Sequence, residues 1–191
     1  MHPGLSYGFV LRSSNKTSKV VLLDKDCGRL ELYSRKNFSI YNGLLIKFEA
    51  DGKSLSLADS YPIHFKFSKS TLKFYHLVLE VCENFIPPGL ESGDIFELLY
   101  FLYFSFGSFS SGVSQKLFLH RLFNKLGIGS GSNKYSELSK LLLNPIDRVV
   151  QHPLDLETEY RLNAFIKECL DLNPAIYGFN TRCFFREVGI L

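Results

Sequence analysis

Hydrophobic and polar positions alternate over the first third of the chain and then fall at helical spacing. Residues 6–13 (SYGFVLRS) and 17–23 (TSKVVLL) are rich in β-forming side chains and flank a polar Asn15-Lys16 turn, which predicts a hairpin. A charged loop at residues 24–26 and Gly28 lead into residues 29–34, where Leu30 and Leu32 alternate with Glu31 and Tyr33, so a three-stranded meander is expected. Residues 44–48 and 55–57 flank Ala50-Asp51-Gly52-Lys53, whose Asp-Gly pair is a strong hairpin signal, and supply strands four and five. Residues 61–67, with Pro62 near the start, read as an edge segment leaving the sheet. Five or six short strands in so little chain favour a small closed or nearly closed barrel, because closure removes exposed edges.

The rhythm changes after residues 68–71. Leu72, Tyr75, His76, Leu79, Cys82, Glu83 and Ile86 follow a helical period, which predicts a helix over residues 72–85 that Pro87-Pro88-Gly89 ends. A second helix is expected over 94–105. The run 96–109 around it is nearly all aromatic or leucine, yet it is shorter than the ~20 apolar residues a bilayer requires, so a buried core helix is expected rather than a membrane-lying one. A third helix is expected over 115–126, with Lys125 in its last turn and Gly127 at its C-cap. A short helix over 135–143 precedes Asn144-Pro145, and one over 156–170 starts at an Asp155 cap and stops at Asn173-Pro174. The tail from residue 175, with Tyr177, Phe179, Phe184, Phe185, Val188 and Leu191, is too apolar to be loose and should pack back on an earlier element. The expected fold class is therefore α+β and multidomain: a small OB-type β-barrel over 1–68, then an all-helical domain over 69–191.

Composition supports a folded chain, since 46% of 191 residues are hydrophobic and can bury a substantial core. The net charge of +3 is modest, but its distribution matters: residues 1–80 hold twelve Lys/Arg against seven Asp/Glu, and residues 81–191 hold ten against twelve. A basic β part joined to a slightly acidic helical part points to binding rather than catalysis. The four cysteines form no C-x-x-C pair and read as reduced, mostly buried thiols, so no metal and no cofactor is expected. The five histidines are isolated, and the Gly127–Gly131 run lacks the G-K-[ST] that grips phosphates. Asp24 and Asp26 read as a charged turn. A hydrolase or nuclease finds no carboxylate or histidine set of recognisable spacing, so the chain is expected not to be an enzyme. No basic-then-apolar leader stands at the start, and an intracellular protein is expected.

The basic residues of the β part are the main chemical signal. Arg12, Lys16 and Lys19 flank the first hairpin, and Arg29, Arg35 and Lys36 lie at or after the third strand. Drawn together by closure of the barrel, they offer phosphates several donors. Tyr7, Tyr33, Phe38 and Tyr41 are interleaved with them as candidates for stacking on unpaired bases. Taken singly, each aromatic reads equally well as barrel core or rim, and each charge as solvated surface.

Three segments carry a family resemblance: Gly8-Phe9-Val10-Leu11-Arg12, Ser18-Lys19-Val20-Val21-Leu22-Leu23, and Cys27-Gly28-Arg29-Leu30-Glu31-Leu32. Their order resembles the opening of the RecO family of DNA repair and recombination mediators, and residues 117–127 resemble that family's helix ending in leucine-glycine. The resemblance implies a cytoplasmic, nucleoid-associated bacterial protein that is not an enzyme. Such a mediator binds single- and double-stranded DNA, assists annealing or recombinase loading, and contacts a RecR-like protein and the C-terminal tail of the single-strand-binding protein, with no membrane involved. Arg12 and Arg29 become the leading DNA contacts, with Lys19, Arg35 and Lys36 as neighbours, and Lys116 and Arg121 become candidates for the acidic tail. The cysteines with which some members bind zinc are missing here, so no zinc site is carried over. The alternative is a structural or protein-interaction subunit whose barrel has lost DNA binding.

Overall fold

The fold is that of a computed structural model, which describes residues 5–14, 16–34, 42–61, 68–109, 111–129, 133–143 and 154–191. Five strands, β1 (Ser6–Ser14), β2 (Lys19–Asp24), β3 (Gly28–Ser34), β4 (Leu45–Asp51) and β5 (Ser54–Tyr61), close in the order β1-β2-β3-β5-β4. Neighbours run antiparallel except β3 and β5, which pair in parallel at Tyr33↔Ser54 and Ser34↔Leu55. This is the OB-type barrel that the alternation predicts. The expected edge segment becomes the end of β5 at Tyr61, and residues 62–67 lie outside the described residues.

The strand period decides which side chains fill the barrel. Val10, Val20, Leu22, Leu32, Ile46, Phe48 and Leu55 point inward and form its core. Register shifts between Val10 and Arg12 and between Lys47 and Phe48 insert one extra residue in β1 and β4–β5, bending the strands enough for a five-stranded barrel to close. The Asp51-Gly52 turn has Gly52 at φ +59°, the left-handed conformation the hairpin requires.

Six helices follow among the described residues: α1 (Lys69–Phe85), α2 (Gly93–Phe104), α3 (Gly112–Lys125), α4 (Ser139–Leu143), α5 (Leu156–Leu172) and α6 (Cys183–Glu187). The chain forms two compact units, one of Met1–Lys66 and Val78–Tyr103, the other of Phe67–Leu77 and Phe104–Leu191. The division runs through α1. In the first unit, outward-facing Phe9 packs against Phe96 (ring centres 5.1 Å apart) and Tyr103 (5.6 Å) of α2, and the Tyr103 hydroxyl donates to the Tyr61 carbonyl. The aromatic run is thus core on one side: Ile95, Phe96, Leu98, Leu99, Leu102 and Tyr103 are buried, while Tyr100 and Phe104 are about half exposed. No helix among the described residues is long and apolar enough to cross a membrane.

The second unit is built on Phe74, whose ring meets Phe109, Phe118 and Phe184 at 6.3, 5.7 and 5.4 Å. The apolar tail therefore docks into the core, as its composition predicts. The helix ends obey local rules. Ser68, Ser111 and Asp155 accept from Thr71, Ser114 and Thr158 N–H groups at the starts of α1, α3 and α5. At the end of α3 the Ile128 N–H reaches the Phe123 carbonyl and the Gly127 N–H reaches Asn124, with Gly127 at φ +67°. Cys82 and Cys169 are buried, but Cys27 in the β2–β3 turn and Cys183 at the start of α6 are exposed, which corrects the expectation of mostly buried thiols.

Candidate nucleic-acid interface

Pairing register places the sequence-predicted cations one by one. On the outer face of the barrel Arg12 of β1, Val21 of β2 and Glu31 of β3 form one row. Two residues along, Lys19 pairs with Tyr33, and Tyr33 pairs across the parallel seam with Ser54. The Tyr33 N–H donates to the Lys53 carbonyl at 2.7 Å, and the Ser34 N–H donates to the Ser18 carbonyl at 2.9 Å. Those two bonds draw the β1–β2 and β4–β5 loops to one end of the barrel. Lys16, Lys53 and Tyr33 are all exposed there, Lys19 is partly so, and neither Lys16 nor Lys53 has an ion-pair partner among the described residues.

Carboxylates accompany the remaining cations. Arg12 Nε lies 2.9 Å from a Glu83 oxygen of α1, and Lys19 Nζ lies 2.6 Å from Glu31. Lys19 is the main reason the Glu31 carboxyl is held below its usual range. Burial pushes the Glu83 carboxyl up, against the pull of Arg12 and Arg29.

Arg29 is largely buried and belongs to the fold. Its guanidinium donates to the Glu83 carbonyl and approaches Glu31 at 3.6 Å. The residue four positions after Glu83 is Pro87, which has no N–H, so that carbonyl cannot be satisfied within α1 and Arg29 supplies the donor. Gly28 beside it is at φ +70°, and a Cβ there would stand 1.7 Å from the Leu90 carbonyl oxygen. The Gly28-Arg29 pair thus seats the start of β3 against the α1–α2 connection. Asp24 closes the preceding turn, its Oδ1 accepting from the Asp26 and Cys27 N–H groups at 2.9 and 2.7 Å.

Arg121 repeats the device in the helical unit. It donates to the Leu141 and Leu142 carbonyls at the end of α4, and the residue four after Leu141 is Pro145. Lys116, 5% exposed, pairs with Glu159 of α5 at 3.0 Å. Both side chains assigned to a partner's acidic tail are committed within the fold. Glu159→Gln should therefore lower the stability of the helical unit by about 1–3 kcal/mol, read as a shift of the urea midpoint, because it leaves the buried Lys116 ammonium without its carboxylate.

The aromatic candidates separate. Tyr7 and Ser14 are seven residues apart on β1, so Tyr7 sits roughly 20 Å from the Lys19–Tyr33 end of the barrel. It lies 6.2 Å from the Tyr61 ring, with the Lys47 ammonium 5.7 Å from its own ring centre. Arg35, Lys36, Phe38 and Tyr41 lie outside the described residues. Sequence reasoning missed Lys53, whose place depends on the parallel β3–β5 pairing, a contact between distant segments that no local pattern encodes; its position next to Asp51-Gly52 marked it as a loop residue and no more. No group of three or more metal-ligating side chains stands together among the described residues. No protein-family model matches the chain, and no curated protein matches it.

Proposed function

We propose that this chain is a non-enzymatic nucleic-acid-binding protein that holds DNA strands on the rim of its barrel, acting as a repair and recombination mediator of the RecO kind. The observation that carries the reading is the convergence of Lys16, Lys19, Lys53 and exposed Tyr33 where the β1–β2 and β4–β5 loops meet, the loops with which OB-type barrels hold oligonucleotides. Phosphate contacts by lysines give affinity without base readout, and Tyr33 offers a face on which a base can stack. Double-stranded DNA would be held by the phosphate term alone. Annealing or recombinase loading, a RecR-like partner and the tail of a single-strand-binding protein belong to the same proposal; the tail contact would have to use cations other than Lys116 and Arg121.

Fluorescence anisotropy with a labelled oligothymidine tests it. Binding is expected at low salt and should weaken as salt rises, with a slope of about 0.7 per phosphate contacted. A Lys16/Lys19/Lys53 triple alanine variant should lose at least about tenfold in affinity while keeping its melting transition. Tyr33→Ala should lose about tenfold, the scale of one stacked base. Undetectable binding by the wild type at low salt rejects the reading.

A second reading, a protein-interaction subunit without DNA binding, is favoured by the carboxylates facing Arg12 and Lys19. It predicts a stable complex with a protein partner together with no DNA binding at low salt.

A further inference from the structure

We infer that Glu31 and Glu83 compete with nucleic-acid phosphates for Arg12 and Lys19 and so set the affinity of the barrel rim. The inference rests on the DNA-binding reading above. The Arg12 side chain is 57% exposed and Lys19 33%, so a phosphate can reach both, but each already faces a carboxylate at 2.9 and 2.6 Å. A strand docking there must displace Glu31 or Glu83 from its cation before the charge becomes available.

Two observations set these carboxylates apart from ordinary surface charge. Glu83 lies in the last turn of α1, where the helix dipole disfavours a negative group, and it is tolerated because Arg12 and Arg29 face it. Glu31 faces two cations at once, Lys19 on β2 and Arg29 on its own strand, while being 42% exposed itself. The Lys19–Glu31 pair is open to solvent on both sides and adds little to stability, whereas the Glu83 side chain is 14% exposed; each pair cancels a full unit of charge at the contact surface. The Lys19–Glu31 pairing therefore acts far more on polyanion binding than on the fold. It yields a rim that holds strands weakly enough to release them, which suits a protein that hands strands on.

Anisotropy with the same oligothymidine, at several salt concentrations, compares the wild type with Glu31→Gln, Glu83→Gln, the double variant and Glu97→Gln. Glu97 is exposed on α2 and serves as the control for loss of one negative charge. Glu31→Gln and Glu83→Gln are each expected to tighten binding about 3–10-fold at low salt, and to steepen the dependence of log K on log salt by about 0.7 as one more cation engages a phosphate. Glu97→Gln should tighten binding less and leave the slope unchanged. If the wild type binds but both variants behave like Glu97→Gln, the inference is overturned and the DNA-binding reading stands. Binding that appears in the double variant and not in the wild type rejects the DNA-binding reading of the wild-type protein and, with it, the inference. If neither binds at low salt, both fail together. Glu31→Gln alters a side chain close to half exposed and carries the test should Glu83→Gln unfold.

Discussion

Gly28→Ala should destabilise the barrel-containing unit by about 3–5 kcal/mol, whereas Gly52→Ala should cost only about 1 kcal/mol. Both glycines have positive φ, +70° and +59°, so both substitutions carry the left-handed penalty of an L side chain. The difference lies in the surroundings. A Cβ at Gly52 meets nothing within 4 Å, but at Gly28 it would stand 1.7 Å from the Leu90 carbonyl oxygen and 2.6 Å from its carbon. Main chain cannot step aside as a side-chain tip can. The start of β3 would have to leave Pro88-Gly89, breaking the 3.0 Å bond from the Gly89 N–H to the Arg29 carbonyl and with it the seat of the Arg29 guanidinium. Urea midpoints of the two variants and the wild type check this. Equal, small losses would mean that the close approach at Gly28 is not what demands a glycine.

Acid should weaken the helical unit through His120. Its side chain is 2% exposed, its ring lies 4.8 Å from Phe165 of α5 in an edge-on arrangement, and its Nδ1 has no partner among the described residues. Burial first, and the neighbouring Arg121 second, push its pKa down to about 4 from the usual 6.5. A histidine depressed in the folded state is neutral there, so its contribution is fully present above pH 6.5 and is lost as pH falls from 6.5 towards 4. The loss is on the order of 3 kcal/mol when complete. His120→Leu cannot take up the proton. The stability difference between wild type and variant, measured by urea unfolding at several pH values between 7.5 and 4, should therefore shift by that amount in the variant's favour. Parallel curves would show that the ring is hydrated or finds an acceptor for its proton.

The barrel was legible because its signals are local. Alternation in β1 to β3 and the Asp51-Gly52 turn needed no knowledge of what lies opposite, and the same holds for the caps at Asp155 and Gly127. The candidate site was only partly legible, for a reason that Arg29 and Arg121 make concrete. Arg29 reads as a DNA contact from the basic set of the β part and Arg121 as a partner contact from the resemblance of its helix, yet each serves a carbonyl, of Glu83 and of Leu141, that a proline four residues further on leaves without a helical donor. Pro87 and Pro145 are in the sequence, so the unmet carbonyls could have been foreseen; which arginine meets each one could not, because Arg29 is 54 residues from Glu83 and Arg121 is 20 from Leu141. Lys53 was missed for the mirror-image reason, since a parallel seam brings it to Tyr33. Tyr7 reads with Tyr33 as one of the aromatics interleaved with the basic residues, but an extended strand carries it to the other end of the barrel.

The pairing of β3 also limits how a protein partner can bind. Ser34 and Tyr33 are paired to β5, and further up the same side Arg29 gives its carbonyl to the Gly89 N–H, so the flank of β3 is occupied at both ends. A peptide arriving as an extra strand would find, between these, little more than the backbone of Glu31 to bond with. Strand addition needs several consecutive open backbone groups to give useful affinity. A partner that meets this flank of β3 must therefore be recognised there through side chains, and its binding should respond to single side-chain substitutions far more than to the N-methylation of a peptide's backbone.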